Sequence, residues 1–190
     1  MTDMTQIKAA ARKAAFARRD AAHAKNTGTG AGMLSSVLAG YRGVPTAGYM
    51  PIRSEIDPMP AMIEAAAHGP VGVPVIIGAG QPLRFARWEP DMEMVSGEFG
   101  VQIPAHAEYF EPEIVIAPLV AFDAQGGRLG YGGGFYDRTL EGLRAKRATL
   151  AIGFAYAAQI ADTLPLEPTD QPLDAIVTEQ KIYDFRSSDA

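Results

Sequence analysis

Residues 128–138, RLGYGGGFYDR, place four glycines between an arginine and an aspartate. Glycines let backbone N–H groups approach an anion closely, and they adopt the positive φ angles that anion-binding loops need. The planar guanidinium of Arg128 suits a phosphate group. Asp137 alone would repel a phosphate, but a carboxylate beside phosphate oxygens suits Mg²⁺. The pattern therefore predicts a loop that binds phosphate together with a metal ion.

The loop matches none of the general phosphate-binding motifs. Phe135 stands where the dinucleotide fingerprint has its third glycine, and the loop lacks the lysine of a P-loop. Two simpler interpretations stay open on the residues alone. The glycines could form a flexible connector, and Asp137 could be a helix cap.

A second group of candidates is the basic N-terminal segment. Residues 1–25 carry a net charge of +4, which leaves −9 for the rest of the chain. Lys8 and Arg12 are four residues apart and so share one face of a helix, with Arg19 near the same stripe. This face is either a solvated basic surface or a pair of cations directed at phosphate.

Composition excludes several classes of site. The chain of 190 residues contains no cysteine, which removes disulfides, thiolate nucleophiles and cysteine zinc sites. Its three histidines lack metal-ligand spacing, and no apolar run reaches the length of a membrane span. We expect a single domain over residues 1–190, in the cytoplasm.

The elements that must position these residues alternate along the chain. Helices are predicted at residues 5–25, 33–41, 57–67 and 136–147, and strands at 47–52, 73–77, 82–88, 114–122, 150–155 and 174–178, with 174–178 as the last strand. Asp57 followed by Pro58 is a helix start, so Glu55 falls on a strand-to-helix loop. This order predicts an α/β domain, a Rossmann-like three-layer fold with a mainly parallel sheet and helices on both faces.

Residues 118–137, PLVAFDAQGGRLGYGGGFYD, resemble the signature of the 5-formyltetrahydrofolate cyclo-ligase family, also called 5,10-methenyltetrahydrofolate synthetases. Lys8 and Arg12 are similar to the family's N-terminal basic pair. Residues 49–56, YMPIRSEI, resemble its strand and loop ending in Glu-Ile, and TDQPLDAIVTE resembles its two spaced acids before a last strand. The resemblance covers most of the chain and is weak at 26–47 and 89–113.

The resemblance implies a set of site residues. For ATP these are Lys8, Arg12, Arg128, Leu129, Gly130, Tyr131, Gly132, Gly133, Gly134, Phe135 and Tyr136. For the folate they are Met50, Glu55, Tyr131, Gly132, Gly133, Gly134 and Phe135. Arg128, Tyr136 and Asp137 are expected to act in catalysis, and Asp137 and Asp170 to hold Mg²⁺, with Asp174 as the competitor of Asp170. The glycine loop itself contains no cation, so the N-terminal helix is expected to close over it.

The chemistry that the resemblance implies is the ATP- and Mg²⁺-dependent closure of 5-formyltetrahydrofolate to 5,10-methenyltetrahydrofolate. Its partners are then ATP and a reduced folate, with no nucleic acid or membrane, and a monomer is expected. Two alternatives stay open at this point. One is another α/β enzyme, such as a sugar-phosphate isomerase or a CoA-transferase-like protein. The other is a non-catalytic module that binds anions or nucleic acid through the basic helix, which the acidic body disfavours.

Overall fold

The computed structural model describes residues 3–186. Residues 1–2 and 187–190, which belong to the predicted domain 1–190, lie outside the described residues. The helices are α1 (Met4–Lys25), α2 (Gly32–Leu38), α3 (Met59–Ala66) and α4 (Phe135–Lys146), with short 3-10 turns at Ala39–Tyr41, Glu98–Gly100 and Ala157–Gln159. None of the helices described is both long enough and apolar enough to cross a membrane.

An eight-stranded sheet forms the centre of the fold. Its members are β1 (Thr46–Ala47), β2 (Val71–Val75), β3 (Arg84–Arg87), β6 (Tyr109–Phe110), β7 (Ile114–Pro118), β10 (Leu150–Phe154), β11 (Ala175–Val177) and β12 (Ile182–Asp184), in the order β12-β11-β10-β7-β1-β2-β3-β6. The five strands from β11 to β2 are parallel. The α/β fold with a mainly parallel sheet is therefore confirmed.

Two small hairpins lie beside this sheet. One pairs β4 (Met94–Ser96) with β5 (Gln102–Pro104), and the other pairs β8 (Ala121–Phe122) with β9 (Arg128–Leu129). The second hairpin leads directly into the glycine loop. Both hairpins thus stand close to the residues that the sequence predicts for the site.

Helices cover both faces of the sheet, as predicted. Side chains alternate along β7, so Ile114 and Ile116 pack with α2 and α3 on one face. Val115 points to the other face, where it packs with Leu140 and Leu143 of α4. Helix α1 packs against the β8–β9 hairpin through Ala15. The helices and the sheet bury apolar residues between them, and this packing fixes the positions of the strand ends.

Several predicted boundaries are wrong in detail. The apolar run 114–122 is two strands, because Pro118 has no N–H to continue the ladder and the chain turns into the β8–β9 hairpin. The strand predicted at 47–52 ends at Ala47. Beyond it the chain folds back on itself, with the Tyr49 hydroxyl donating to the Ile56 carbonyl over 2.6 Å.

The outer strands account for the part of the sheet that is not parallel. Strands β12, β3 and β6 are antiparallel to their neighbours. The segment 174–178 is followed by β12, so it is not the last strand. A short connection, such as the one between β11 and β12, allows only antiparallel pairing, whereas parallel pairs need a long crossover.

The order of the strands creates a crevice at one edge of the sheet. From β1 the chain crosses through α3 to β2, and it later returns to the opposite side of β1 to form β7. The connections from β1 and β7 therefore run over opposite faces, which makes this a topological switch point. Ligands of open α/β sheets bind at such points, outside the carboxyl ends of the strands.

Candidate active site

A cleft of about 1260 Å³ opens at this switch point. Residues after the carboxyl ends of β1 and β2 form its floor, including Met50, Glu55 and Ile76. Helix α1, the glycine loop and the β4–β5 hairpin form its walls. Every residue that the sequence predicts for the site lines this one cleft. We call it the main cleft.

The glycine loop has the backbone of an anion-binding turn. Gly132 has φ of 101° and Gly134 has φ of 68°, both in the region that favours glycine. Gly134 is the N-cap of α4, which begins at Phe135, one residue before the predicted start. The free N–H groups of the first helical turn therefore lie at the loop, where the helix dipole favours an anion.

Arg128 and Asp137 form an ion pair across the base of the loop. Arg128 Nη2 lies 2.5 Å from Asp137 Oδ1, and that oxygen also accepts the Gln171 N–H over 2.8 Å. The Arg128 side chain is buried, and its Nε has no hydrogen-bond partner among the described residues. The bonds from Arg128 and from the Gln171 N–H both go to Oδ1 of Asp137, and neither involves Oδ2.

Helix α1 lies against one side of the loop. Arg12 Nε donates to the Gly130 carbonyl over 2.8 Å. Lys8 Nζ lies 2.7 Å from Glu167 and 2.9 Å from Asp170. Burial opposes the charged form of Lys8, but the hydrogen bonds to these two carboxylates outweigh it and raise the pKa of Lys8. The basic face is thus not a solvated surface.

Glu55 is a buried acid that lines the cleft. Its Oε2 accepts the Ile52 N–H over 2.9 Å, and its Oε1 accepts the Tyr131 hydroxyl over 2.8 Å. Burial raises the pKa of Glu55, opposed by these hydrogen bonds. Burial, with the charge of Glu55, raises the pKa of Tyr131 to about 12. Tyr131 therefore stays protonated, donates a hydrogen bond to the carboxylate and joins the loop to the acid.

Asp170 and Asp174 occupy different environments. Asp170 lies on the main cleft and is paired with Lys8. Asp174 pairs with Arg144 over 3.0 Å and accepts the Ala151 N–H over 2.7 Å, and it is not among the residues that line the cleft. Asp174 therefore anchors the end of α4 to the sheet. Of these two acids, only Asp170 lines the cleft together with the glycine loop.

The carboxylates of the cleft fit a magnesium ion that is shared with phosphate. Asp137 and Asp170 line the same part of the cleft, since Asp137 contacts Gln171, the neighbour of Asp170. Among residues 3–186 no three His, Asp or Glu residues form a metal cluster. Mg²⁺ in phosphoryl-transfer sites is usually held by one or two carboxylates, with phosphate and water as the other ligands. Two acids are thus an adequate protein contribution.

Sequence reasoning missed cations that reach the cleft from outside the loop. Arg138 folds back on the loop, where its Nη2 donates to the Gly133 carbonyl over 2.6 Å. Arg53 lies over the Tyr131 ring at 5.9 Å. Arg138 is the last residue of RLGYGGGFYDR. Its position in the first turn of the helix that follows the loop could have identified it as a cation near the phosphate site. Arg53 gave no signal, because its position depends on a turn that the sequence does not specify.

The β4–β5 hairpin is the other missed element. Phe99 at its tip is 78% exposed yet lines the cleft, and its φ is 55°. Arg53, with φ of 52°, is the other non-glycine residue with positive φ among those described, and it lines the same cleft. Backbone held in this costly region is concentrated at ligand sites. The hairpin tip is therefore a candidate part of the site.

Comparison with known proteins gives a consistent result. The model of the 5-formyltetrahydrofolate cyclo-ligase family matches residues 4–179. The Escherichia coli (strain K12) 5-formyltetrahydrofolate cyclo-ligase is 34% identical over 145 residues, which cover 72% of this chain and 79% of that protein. The Haemophilus influenzae protein of the same name is 43% identical over 96 residues, covering 48% and 51%.

Solved structures agree with the sequence comparison. The Aquifex aeolicus 5,10-methenyltetrahydrofolate synthetase superposes with a TM-score of 0.77 at 27% identity, covering 97% of this chain and 95% of that one. A Mycoplasma pneumoniae 5,10-methenyltetrahydrofolate synthetase gives 0.66 at 25% identity, covering 90% and 98%. The range of the family match, residues 4–179, includes the basic helix, the strand ends of the cleft and the glycine loop. This chain belongs to the 5-formyltetrahydrofolate cyclo-ligase family.

Proposed function

We propose that the main cleft is where this chain carries out its family's reaction, the ATP-dependent conversion of 5-formyltetrahydrofolate to 5,10-methenyltetrahydrofolate. The observation that carries the assignment of the site is the hydrogen bond from Tyr131 to Glu55. It joins a phosphate-type loop to a buried acid within one cleft. Such an arrangement suits a site that must bring a nucleotide phosphate close to an atom of a second substrate.

The nucleotide end of the cleft supplies positive charge from several elements. Lys8 and Arg12 come from α1, Arg128 from β9 and Arg138 from α4, around backbone N–H groups of the loop. Phosphoryl transfer depends mainly on positioning and on neutralising the charge of the phosphate oxygens. We assign the triphosphate to this end, with the flat rings of Phe135 and Tyr136 against the bound substrates.

The ring closure needs no protein nucleophile, because the two substrates supply all of the reacting atoms. The formyl oxygen attacks the γ-phosphorus, the bond to the bridging oxygen breaks, and ADP leaves. The N10 amine then attacks the activated formyl carbon, and the carbon–oxygen bond breaks to release phosphate, while N10 loses its proton. Glu55 is placed to accept hydrogen bonds from N–H groups of the folate, and Met50 provides an apolar wall.

Magnesium would be held by Asp137 and Asp170, which line the nucleotide end. Bound there with ATP, it would supply neutralisation of phosphate charge. The residues of this chain orient the acids: Arg128 and the Gln171 N–H hold Asp137, and Lys8 holds Asp170. Lys8 also offsets the repulsion between acids and phosphate.

We also propose that a single chain is the active unit. All of the residues that the sequence predicts for the site come from one chain and line one cleft. A cytoplasmic location is part of the same proposal, supported by a cysteine-free composition that suits a reducing compartment.

The function is tested by a coupled assay of ATP and folate. With 5-formyltetrahydrofolate, ATP and Mg²⁺, we expect the absorbance of the methenyl product to rise and ADP to form in equal amounts. Omitting the folate should abolish ADP formation. Absence of product at saturating substrates would contradict the function, and phosphate binding without ATP dependence would favour an isomerase-type enzyme instead.

Phe99 at the tip of the β4–β5 hairpin gives a prediction about the binding of the folate in the main cleft. Phe99→Ala should raise KM for 5-formyltetrahydrofolate about fivefold, because an aromatic contact contributes about 0.5–1.5 kcal/mol. The fold should be unaffected, since the side chain is largely exposed. The measurement is steady-state kinetics with each substrate varied in turn.

The matched control for Phe99 is Tyr109→Ala. Tyr109 is also an exposed aromatic residue, but it stacks on Arg84 and does not line the cleft. We expect its kinetic constants to stay within about twofold of the parent enzyme. If Phe99→Ala and Tyr109→Ala had the same KM for 5-formyltetrahydrofolate, Phe99 would have no specific role in binding the folate.

A further inference from the structure

Arg19 is a buried arginine that the stability of the fold does not explain. It lies in α1 with 0% exposure, between the rings of Phe16 at 5.2 Å and Tyr131 at 5.5 Å. It forms no ion pair with any carboxylate among the described residues, and its Nη2 has no partner. Burying a guanidinium in this way is costly, and an apolar residue would be favoured if packing were its only role.

The hydrogen bonds of Arg19 approach Glu55 from two directions. Its Nη1 donates to the Tyr131 hydroxyl over 2.7 Å, and that hydroxyl donates to Glu55 Oε1 over 2.8 Å. Its Nε donates over 3.0 Å to Ser54 Oγ, on the residue next to Glu55 in the chain. Ser54 Oγ in turn donates to Asp20. Arg19 therefore holds both the partner of the acid and the backbone that carries it.

The charge of Arg19 acts on the acid as well. Burial favours the neutral form of Glu55, while the nearby charges of Arg19 and Arg53 favour the carboxylate. The titratable and charged groups around Glu55 come from α1, from its own loop and from the glycine loop: Arg19, Arg53, Tyr49, Tyr131 and Tyr136. Among these groups, Arg19 is the one that is linked to Glu55 through a shared hydrogen-bond partner.

We propose that Arg19 is a positioning residue of the active site, which acts through Tyr131 and Ser54 to present Glu55 as an oriented carboxylate to N–H donors of the folate ring. This inference rests on the function proposed above. It also makes Tyr131 the link between the two ends of the cleft, because its backbone belongs to the phosphate loop and its hydroxyl serves the folate acid. Arg19 itself touches neither substrate.

A double-mutant cycle on Arg19→Gln and Tyr131→Phe tests the inference. Tyr131→Phe keeps the aromatic ring and removes only the hydroxyl. Each single change should raise the Kd for 5-formyltetrahydrofolate, measured by calorimetry without ATP, about tenfold. The double variant should be clearly less than about a hundredfold weaker, which is the loss that independent roles would give, because part of the effect of Arg19 passes through Tyr131. KM for ATP should change less than about threefold in Arg19→Gln.

A pH profile provides the readout that a purely structural role would not change. Removing the positive charge of Arg19 favours the protonated form of Glu55 further, so its pKa rises. The acidic limb of folate binding should therefore move to higher pH in Arg19→Gln than in the parent enzyme. Arg18→Gln is the matched control, since Arg18 is the exposed neighbour on the same helix, and its profile should be unchanged.

Three results would overturn the inference. These are additive effects in the cycle, equal losses of folate and ATP affinity, or an unshifted pH profile. If Arg19→Gln does not fold, Arg19→Lys takes its place in the cycle, and it should lie between the parent and Tyr131→Phe because it keeps the charge but not the fork. A parent enzyme that does not bind 5-formyltetrahydrofolate would contradict the proposed function, whereas equal binding by parent and variants contradicts only the inference.

Discussion

Asp137→Asn is expected to lower kcat by about 100- to 1000-fold while the protein stays folded. Loss of one group that stabilises charge in a transition state typically costs this much. Asn keeps an oxygen for the Gln171 N–H, but it removes the negative charge that holds Arg128 at 2.5 Å and that would help to bind Mg²⁺. The rate should be measured across a Mg²⁺ titration, since a lost ligand raises the concentration needed for half-maximal rate.

Asp174→Asn is the matched control, because it makes the same change at the competing acid. Asp174 holds Arg144 and the Ala151 N–H away from the lining of the cleft. We expect kcat and the Mg²⁺ dependence to stay within about twofold, with a loss of about 1 kcal/mol in the free energy of unfolding. If Asp174→Asn abolished activity and Asp137→Asn did not, the assignment of the acids would be reversed.

The parts of the site that could be predicted are those in which chemistry and local structure depend on neighbouring residues. The run from Arg128 to Asp137 has the glycines, the cation and the acid in one stretch, and the helix that follows begins within one residue of its prediction. The spacing of Lys8 and Arg12 likewise depends only on helix geometry. Such features need no knowledge of the tertiary fold.

The parts that could not be predicted depend on contacts between distant segments. The bond from Tyr131 to Glu55 spans 76 residues, and the placement of Phe99 depends on a hairpin in the region 89–113 where the resemblance was weak. The antiparallel pairing of the outer strands likewise depends on how segments distant in sequence meet at the edges of the sheet. Local propensity does not carry that information.

The question raised by a glycine loop without a cation has a structural answer. Arg12 and Arg138 each donate to a carbonyl of the loop, at Gly130 and at Gly133. These bonds hold the loop and keep two guanidinium groups beside it. Arg12 lies on α1 and Arg138 on α4, so each guanidinium stays beside the loop only if its helix packs closely against it. Glycines permit this close packing because they have no Cβ atom.

Gly132→Ala is accordingly expected to lower kcat/KM for ATP by about 100-fold. With φ of 101°, Gly132 has a backbone conformation that alanine adopts only with strain. A Cβ atom there would lie 3.2 Å from Arg12 Cζ, so the guanidinium would also have to shift. The larger effect is the strain at positive φ, which would move the loop N–H groups away from the phosphate, and misplacement by about 1 Å can cost about 100-fold in rate. The measurement is steady-state kinetics with ATP varied at saturating folate.

Gly142→Ala is the control for a glycine outside the loop. It lies inside α4, and a Cβ atom there would have no heavy atom within 4 Å. Alanine is favoured over glycine in a helix interior by about 0.5–1 kcal/mol, so this variant should be slightly more stable and fully active. If Gly132→Ala kept the kinetics of Gly142→Ala, the shape of the loop would not limit phosphate binding. Loss of ATP affinity in Gly132→Ala alone, with folate binding retained, would show that the loop's close contact with α1 serves the nucleotide end of the cleft.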